Sequence, residues 1–325
     1  MSDSNYTSTV LITGGTQGLG YHCALSLARS LPPTTLIVLA SRTDPSASAA
    51  SINTQLKQDN VVYLSLDLGT LDSVRTFAST WPTSYPPISA LILNAGIQLL
   101  GPLSHTADGI EKHFGINHVA HALLFHLLVP HLSSDARIIV VTSGLHDPEQ
   151  GKKWGLLTRY TTAAAAAYPT GQDLKWTGRE RYATSKAANC IWAFALSRHI
   201  ASIPQHSAKT VLAFDPGLMF GTNFARDASR VLKVLNAYVL PRLTPLLRVL
   251  VNGNINTPAE SGGNMAWLVT AAELAGKKGV YFEKRGKREA SVQARDEGCQ
   301  EELWGWTVGK VAGDAEERQR FGRVG

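Results

Sequence analysis

Short apolar runs alternate along the chain with longer segments whose apolar residues recur at helical spacing. The short runs are almost continuously apolar, which is typical of strands buried on both faces of a parallel sheet. They cover Thr9–Thr13, Thr35–Ala40, Val61–Leu66, Ile88–Leu93, Arg137–Thr142, Lys209–Phe214 and Gly279–Phe282. The helical patterns include Gly18–Leu31, Asp108–Leu132 and Arg181–Ala201. This alternation predicts an α/β fold in which a doubly wound, mostly parallel seven-stranded sheet carries helices on both faces.

Two connections are longer than is usual in a compact domain, although residues 1–325 are predicted to form a single domain. Residues 144–180 follow the fifth predicted strand and include the alanine run Ala163–Ala167, which we expect to lie in a loop. Residues from about 220 to 258 contain apolar stretches interrupted by prolines. Because ligands bind at the carboxyl ends of the strands in open α/β sheets, we expect residues 220–258 to form a substrate lid. A peripheral membrane contact is the alternative for this segment.

Composition and charge exclude several classes of protein. Hydrophobic residues make up 44% of the chain and charged residues 17%, which excludes a disordered protein. The net charge of +6 is spread along the chain without a long run of one sign, so we expect no nucleic-acid partner. No signal segment or transmembrane span is visible, and Cys23, Cys190 and Cys299 match no disulfide or metal pattern. We therefore expect a cytoplasmic protein with reduced cysteines and no metal.

The first predicted strand leads into a glycine-rich turn with the sequence TGGTQGLG, and a helix follows it. Gly14 permits a tight turn, Gly18 lets the backbone approach a pyrophosphate, and Gly20 lets the helix pack closely against the sheet. The amide groups at the start of the helix then face the phosphates. The turn predicts a Rossmann-like dinucleotide site. The other residues that we assign to this site are Thr16, Gln17 and Leu19.

The second predicted strand ends at Ala40 and is followed by Arg42. An acidic residue at this place commonly binds the ribose hydroxyls of NAD, whereas an arginine accommodates the 2′-phosphate of NADP. A guanidinium can bind that phosphate through charge-assisted hydrogen bonds. Asp44 is close in sequence but lies past the strand end, so we predict NADP(H) as the cofactor. A solvated cation without a ligand is the alternative interpretation of Arg42.

A second group of residues has the chemistry of an acid–base site. Tyr182 and Lys186 are four residues apart in a helical pattern and therefore share one helix face. Ser143 ends the fifth predicted strand, and Asn117 lies in the preceding helical pattern. A tyrosine ordinarily has a pKa of about 10, and a nearby lysine cation lowers that pKa by favouring the phenolate. A serine hydroxyl at this place can polarise a carbonyl group by hydrogen bonding.

Asn94-Ala95-Gly96 after the fourth strand and Pro216-Gly217 after the sixth complete a set of motifs that occur in the order of a known family. From about Val10 to Phe282 the chain resembles the short-chain dehydrogenase/reductase family. The resemblance implies an NADP-dependent oxidoreductase that transfers hydride between the nicotinamide and a carbonyl or alcohol.

The same resemblance implies a role for each residue of the acid–base group. Tyr182 is the general acid/base, and Lys186 holds the nicotinamide ribose and lowers the pKa of Tyr182. Ser143 orients the substrate carbonyl, and Asn117 holds a water molecule in a proton relay to Lys186. The residues expected to contact the cofactor are Asp67, Leu68, Asn94, Ala95, Gly96, Tyr182, Lys186, Pro216 and Gly217.

The spacing of 39 residues between Ser143 and Tyr182 and the tail Gln300–Trp306 resemble the retinol dehydrogenase and protochlorophyllide reductase branch of the family. This resemblance implies a carbonyl reductase or alcohol dehydrogenase for a hydrophobic, aromatic or polycyclic small molecule. Two alternatives stay open. One is a non-redox isomerase or dehydratase that uses the same site, and the other is a catalytically idle NADP(H)-binding sensor.

Six histidines lie between His105 and His131, most of them in or near the predicted helix Asp108–Leu132. A metal site is one interpretation, but Glu111 is the only carboxylate close to them in this helix, and no cysteine is near. We therefore expect surface or interface histidines. The resemblance implies that this helix can form the interface of a homodimer.

Overall fold

A computed structural model describes residues 6–81, 85–156, 158–220, 240, 242–250 and 253–324. Its strands are β1 (Ser8–Thr13), β2 (Thr35–Ser41), β3 (Val61–Ser65), β4 (Ile88–Leu93), β5 (Leu132–Val141), β6 (Thr210–Asp215), β7 (Leu218–Met219), β8 (Ile255–Asn256), β9 (Lys278–Glu283) and β10 (Gly286–Arg288). Eight of the described strands form one sheet in the order β10-β9-β6-β5-β4-β1-β2-β3, while β7 pairs with β8. All neighbours in the large sheet are parallel except β10 and β9, which confirms the doubly wound, Rossmann-like architecture.

The large sheet has eight strands rather than the predicted seven. The additional strand is β10, a three-residue, fully exposed segment that runs antiparallel to the end of β9. Lys284 in the connecting turn has a φ of 55°, in the left-handed region. Because β10 contains no large apolar residue, a pattern that locates buried strands could not find it.

The helices cover both faces of the sheet. They are α1 (Gly18–Ser30), α2 (Ser48–Leu56), α3 (Leu71–Ser79), α4 (Lys112–Phe114), α5 (Ala120–Leu128), α6 (Pro148–Lys153), α7 (Ala163–Ala167), α8 (Gly178–Ala201), α9 (Thr244–Leu250), α10 (Pro258–Thr270), α11 (Val292–Arg295), α12 (Glu297–Val311) and α13 (Ala315–Gly322). Val10 and Ile12 of β1 pack with α1, α2 and α10 on one face, whereas Leu11 packs with α3, α5, α8 and α12 on the other. Both faces are therefore buried, as the continuous apolar strands required.

The segment predicted as one helix, Asp108–Leu132, starts later and changes its geometry. Its first helical turn begins at Lys112, and a π-helical stretch over Gly115–Val119 separates α4 from α5. Asn117 lies in this stretch. The strand that follows, β5, begins where this segment ends rather than at the predicted Arg137.

The connection over residues 144–180 contains α6 and α7. The alanine run therefore forms a helix rather than the expected loop, because alanine favours helix and the Thr162 hydroxyl accepts a hydrogen bond from the Ala165 amide at 3.1 Å. The next helix, α8, begins at Gly178 instead of Arg181. Thr177 is its N-cap residue and forms a capping box with Glu180, the third residue of the helix.

Most of the predicted lid, residues 220–258, falls on residues 221–239, 241 and 251–252, which lie outside the described residues. The described part of this segment contains α9, where Leu246, Val249 and Leu250 are 55%, 83% and 70% exposed. Among the described helices, none combines the length and the apolar character that a membrane span requires.

Candidate active site

The glycine-rich turn joins β1 to α1 at the carboxyl edge of the sheet. Gly14 and Gly18 have φ angles of +68° and +54°, which residues with a side chain rarely adopt. A Cβ atom on Gly20 would lie 2.3 Å from the carbonyl oxygen of Gly14, so this position also requires glycine. The turn and the amides at the start of α1 form the cradle that dinucleotide phosphates need, and these residues therefore fit a nicotinamide dinucleotide.

Asn94 and Ala95 hold this turn from the end of β4. The Asn94 side-chain amide donates to the carbonyl oxygens of Thr13 at 2.7 Å and Gly14 at 3.3 Å. The backbone amides of Asn94 and Ala95 donate to Oγ1 of Thr13 at 2.9 and 3.0 Å. The predicted motif thus fixes the shape of the phosphate cradle.

His121 completes this arrangement, although nothing in the sequence pattern assigned it to the site. Its Nδ1 lies 3.0 Å from the carbonyl oxygen of Asn117, and its Nε2 lies 2.9 Å from Oγ1 of Thr13. Because a carbonyl can only accept, Nδ1 carries the proton and Nε2 accepts from the threonine hydroxyl. Burial lowers the pKa of His121 to about 4, which favours the neutral form that these bonds require.

Arg42 is exposed directly after β2, beside the glycine-rich turn. Thr16 donates to the carbonyl oxygen of Thr43 at 3.3 Å, and Ser48 donates to that of Thr16 at 2.7 Å, so the segment after β2 packs on the turn. The Asp44 carboxylate accepts the amide of Ser48, the first residue of α2, at 2.9 and 2.7 Å. Within the described ranges Arg42 forms no ion pair, and its guanidinium is accessible to an anionic ligand.

Asp67 and Leu68 follow β3 at the same edge of the sheet. The Asp67 carboxylate accepts the Gly69 amide at 2.9 Å, while the Leu68 side chain is buried in the core. Gln17 occupies the N-cap position of α1, and Leu19 is buried behind the turn. The side chains of the two leucines are therefore core residues, on opposite faces of the sheet.

Ser143, Tyr182 and Lys186 are brought together where β5 ends against α8. The Ser143 hydroxyl lies close enough to the Tyr182 hydroxyl to lower the pKa of Tyr182. Lys186 Nζ lies 5.9 Å from the centroid of the Tyr182 ring and donates to the carbonyl oxygen of Val141 at 2.9 Å. Tyr182 is only 6% exposed, whereas Ser143 is half-buried.

Asn117 lies beside Lys186, around Gly96. A Cβ atom on Gly96 would lie 3.3 Å from Oδ1 of Asn117 and 3.6 Å from Nζ of Lys186. The Asn117 side chain accepts the Ile97 amide at 2.8 Å and donates to the Ile97 carbonyl oxygen at 3.1 Å and to Ser185 Oγ at 2.9 Å. All four predicted acid–base residues therefore lie at one edge of the sheet, between the glycine-rich turn and the end of β6.

The electrostatic balance at Tyr182 differs from the prediction. Sequence reasoning expected Lys186 to lower the pKa of Tyr182, but in the protein alone this pKa is raised. Burial is the main cause and the Asp215 carboxylate adds to it, while the Ser143 hydroxyl acts in the opposite direction. Burial also lowers the pKa of Lys186 to about 8, against the effect of Asp215.

Pro216 and Gly217 form the turn after β6. Gly217 has a φ of +79°, and a Cβ atom there would lie 2.3 Å from the carbonyl oxygen of Asn254. The Pro216 carbonyl oxygen accepts hydrogen bonds from the Asn256 side-chain amide at 3.0 Å and from Ser261 Oγ at 2.6 Å. The predicted motif is thus fixed at the carboxyl edge by β8 and α10.

A buried charged network at the start of α8 was not predicted. Glu111, His113 and Arg181 are 2%, 1% and 4% exposed. Glu111 contacts His113 Nδ1 at 2.7 Å and Arg181 Nε at 3.5 Å, and His113 Nε2 accepts the Leu99 amide at 2.9 Å. Arg181 also donates to the carbonyl oxygen of Gly101 at 2.8 Å. The network ties the helix that carries Tyr182 to the segment after β4.

The histidines of the α4–α5 region are mostly buried, contrary to the expectation of a surface or interface. His113, His118, His121 and His126 are 1–3% exposed, because this region is covered by the sheet, α8, α12 and α13. Burial lowers the pKa of His118 and of His126 to about 3. No cluster of histidine, cysteine or carboxylate side chains that could hold a metal occurs among the described residues.

Comparison with known proteins agrees with this architecture. A family model described as short chain dehydrogenase matches residues 8–167, and one described as AcuH dehydrogenase domain matches residues 222–319. The crystal structure of an NADPH-bound carbonyl reductase from chicken fatty liver has a TM-score of 0.60 at 20% identity and covers 88% of this chain and 99% of that one. At that identity the likeness shows the fold alone.

Two curated relatives match most of the chain. The polyprenol dehydrogenase of Danio rerio is 29% identical over 300 residues, which are 90% of this chain and 83% of that protein. Retinol dehydrogenase 13 of Homo sapiens is 30% identical over 305 residues, which are 91% of this chain and 82% of that protein. The chain therefore belongs to the short-chain dehydrogenase/reductase family of oxidoreductases and resembles its retinol dehydrogenase-like branch.

Proposed function

We propose that the protein is an NADP(H)-dependent oxidoreductase that interconverts a carbonyl group and an alcohol on a hydrophobic small molecule. The observation that carries the proposal is the placement of Ser143 and Lys186 beside Tyr182, with the glycine-rich turn at the same edge of the sheet. A bound nicotinamide supplies or accepts the hydride.

Tyr182 provides the proton in the proposed reaction. Because burial raises its pKa, Tyr182 holds its proton at neutral pH and can donate it to the oxygen of a carbonyl that is being reduced. The Ser143 hydroxyl is close enough to Tyr182 to orient the same oxygen. Lys186 places an ammonium group beside the tyrosine, and Asn117 lies next to it, where a relay water would be held.

Arg42 supports NADP(H) over NAD(H). Its guanidinium is exposed beside the turn that cradles the phosphates, where the 2′-phosphate of NADP would lie. The carboxylate of Asp44, the nearby acidic residue, is engaged by the Ser48 amide at the start of α2. A positive charge without a competing carboxylate at this place favours the phosphate over a free ribose hydroxyl.

The proposed substrate class rests on the relatives and on the end of β6. The relatives' names give polyprenols and retinol as substrates, which are long apolar alcohols. Leu218, directly after the Pro216-Gly217 turn, is 42% exposed, and α9 beyond it carries exposed Leu246 and Val249. Apolar side chains at this edge suit a hydrophobic substrate better than a sugar.

The experiment offers the purified protein NADPH or NADH together with retinal, a polyprenal and bulky aromatic ketones. Oxidation of NADPH with formation of the matching alcohol, and much slower reaction with NADH, is the expected result. Conversion of a substrate without oxidation of either cofactor would replace the proposal with an isomerase or dehydratase. Binding of NADPH without turnover of any carbonyl compound would favour the sensor.

A further inference from the structure

Asp215 is a buried carboxylate at the carboxyl end of β6, only 3% exposed, and the proposed reaction gives it no role. Its Oδ1 accepts the Gly217 amide at 2.9 Å, and its Oδ2 accepts the Asn254 side-chain amide at 2.9 Å. The backbone amide of Gly144 lies near enough to this carboxylate to lower its pKa.

The backbone around the carboxylate comes from two different turns of the site. Gly144 follows Ser143 after β5, and Gly217 follows Pro216 after β6. A Cβ atom on Gly144 would lie 3.1 Å from Oδ2 of Asp215, which leaves little space between the turn and the carboxylate. One side chain therefore links the turn that carries the substrate-orienting serine to the turn expected beside the nicotinamide.

We propose that Asp215 is a positioning residue of this site, which holds the turn after β5 and the turn after β6 together and places a negative charge near Tyr182 and Lys186. The inference rests on the proposed role of Tyr182 as the acid/base. In this role Asp215 contacts the turns of the site and not the substrate.

Ionisable groups face Asp215 from several elements. On α8 these are Tyr182, Lys186 and Cys190, all of which interact with its charge. On β9 the hydroxyl of Tyr281 lies 3.4 Å from Oδ2, and Glu283 adds a second carboxylate.

His146, in the connection after β5, lies against the Tyr281 ring with the centroids 4.8 Å apart. Burial and Glu283 raise the pKa of Asp215, and Gly217, Gly144 and Tyr281 lower it, with a balance at about 6.

The sign of the effect follows from these charges. Above a pH of about 6 the ionised Asp215 opposes a second negative charge on the phenolate, and so it raises the pKa of Tyr182. Alcohol oxidation needs the deprotonated tyrosine, whereas carbonyl reduction needs the protonated form. Removal of the charge should therefore move both pH profiles to lower pH, in the same direction.

The test is the pH dependence of kcat/KM for Asp215→Asn in both directions of the reaction. We expect the midpoint that reports Tyr182 to fall by about one pH unit or more, since a neighbouring charge shifts a pKa by about 1–3. Tyr281→Phe is the matched control, because it removes a hydroxyl from the same carboxylate and keeps the charge, and its midpoint should stay close to wild type. Asp215→Ser, which also lacks the charge, serves the same purpose if the asparagine variant does not fold.

Two results would overturn the inference. One is a folded Asp215→Asn enzyme whose profiles superimpose on those of wild type, and the other is a folded variant that is inactive at every pH. Tyr182→Phe, measured alongside, separates this failure from that of the proposed function. If Tyr182→Phe turns over like wild type, the acid/base role is wrong, whereas an inactive Tyr182→Phe with unshifted Asp215→Asn profiles rejects the role of Asp215 alone.

Discussion

The two halves of the site are built by different means. At the ends of β1, β2 and β4 the structure uses glycines, backbone amides and one exposed arginine, Arg42. At the ends of β5 and β6 it uses buried ionisable groups: Tyr182, Lys186 and Asp215 are 6%, 2% and 3% exposed. Backbone amides and an arginine do not titrate near neutral pH, so this half should bind its ligand in nearly the same way across that range. Buried ionisable groups instead make their half of the site depend on pH, because each neighbouring charge changes the pKa of the others.

The largest expected effect is a loss of turnover without a loss of cofactor binding. Tyr182→Phe removes only the transferable proton, so we expect kcat to fall by about 10²–10⁴-fold, the usual contribution of general acid–base catalysis. The dissociation constant of NADPH should stay close to that of wild type, since the glycine-rich turn is untouched. Steady-state kinetics and a fluorescence titration of NADPH measure the two quantities. An equal loss of binding would mean that the halves are not independent.

Arg42→Ala should change cofactor choice without changing the chemistry. Loss of a charge-assisted bond of about 1.5–3 kcal/mol corresponds to a roughly 10–100-fold weaker affinity for NADPH, with NADH affinity unchanged. Arg29→Ala is the matched control, because this arginine is also exposed and lies in the last turn of α1, away from the turn. Equal losses for NADPH and NADH would reject the phosphate-binding role.

Gly20→Ala tests the shape of the cradle. The new Cβ atom would lie 2.3 Å from the carbonyl oxygen of Gly14, so we expect a cost of about 1–3 kcal/mol in the free energy of unfolding and weaker binding of both cofactors. Gly263→Ala on α10 is the control, since nothing lies within 4 Å of its Cβ position, and alanine there should stabilise the helix by up to about 1 kcal/mol. Similar melting temperatures for both variants would contradict the close approach.

The smallest expected effect concerns a residue outside both halves. His126 has a pKa of about 3 in the folded protein, below the value of about 6.5 expected when unfolded, and within the described structure neither of its ring nitrogens has a hydrogen-bond partner. The unfolded state therefore takes up the proton first, and this contribution to stability is lost as the pH falls below about 6.5.

His126→Phe should accordingly reduce the loss of unfolding free energy between a pH of about 7 and 5.5 by about 1 kcal/mol. His121→Phe is compared with His126→Phe at neutral pH, where the two variants should differ in stability. It should also lose stability at neutral pH, because His121 bonds Thr13 and Asn117. Denaturant unfolding at the two pH values measures both variants, and an unchanged pH dependence in His126→Phe would contradict a buried, neutral His126.

The cofactor half could be read from the sequence in more detail than the other half. Gly14, Gly18 and Gly20 are informative on their own, because positive φ angles and close approach require glycine wherever they occur. Tyr182 and Lys186 were found from their helical spacing. Asp215 and His121 were not found, since each owes its role to partners far away in the chain. The sequence also could not show that burial and Asp215 raise the pKa of Tyr182, because both depend on the tertiary fold.

Transfer of deuterium tests the central claim most directly. The protein is given NADPH that carries deuterium at both C4 positions of the nicotinamide, together with an aldehyde or ketone that it turns over, and the product is analysed by mass spectrometry. We expect one deuterium on the carbinol carbon of the alcohol for each NADPH oxidised, and almost none in the same time with Tyr182→Phe. A product that forms without deuterium, or without oxidation of NADPH, would contradict hydride transfer at this site.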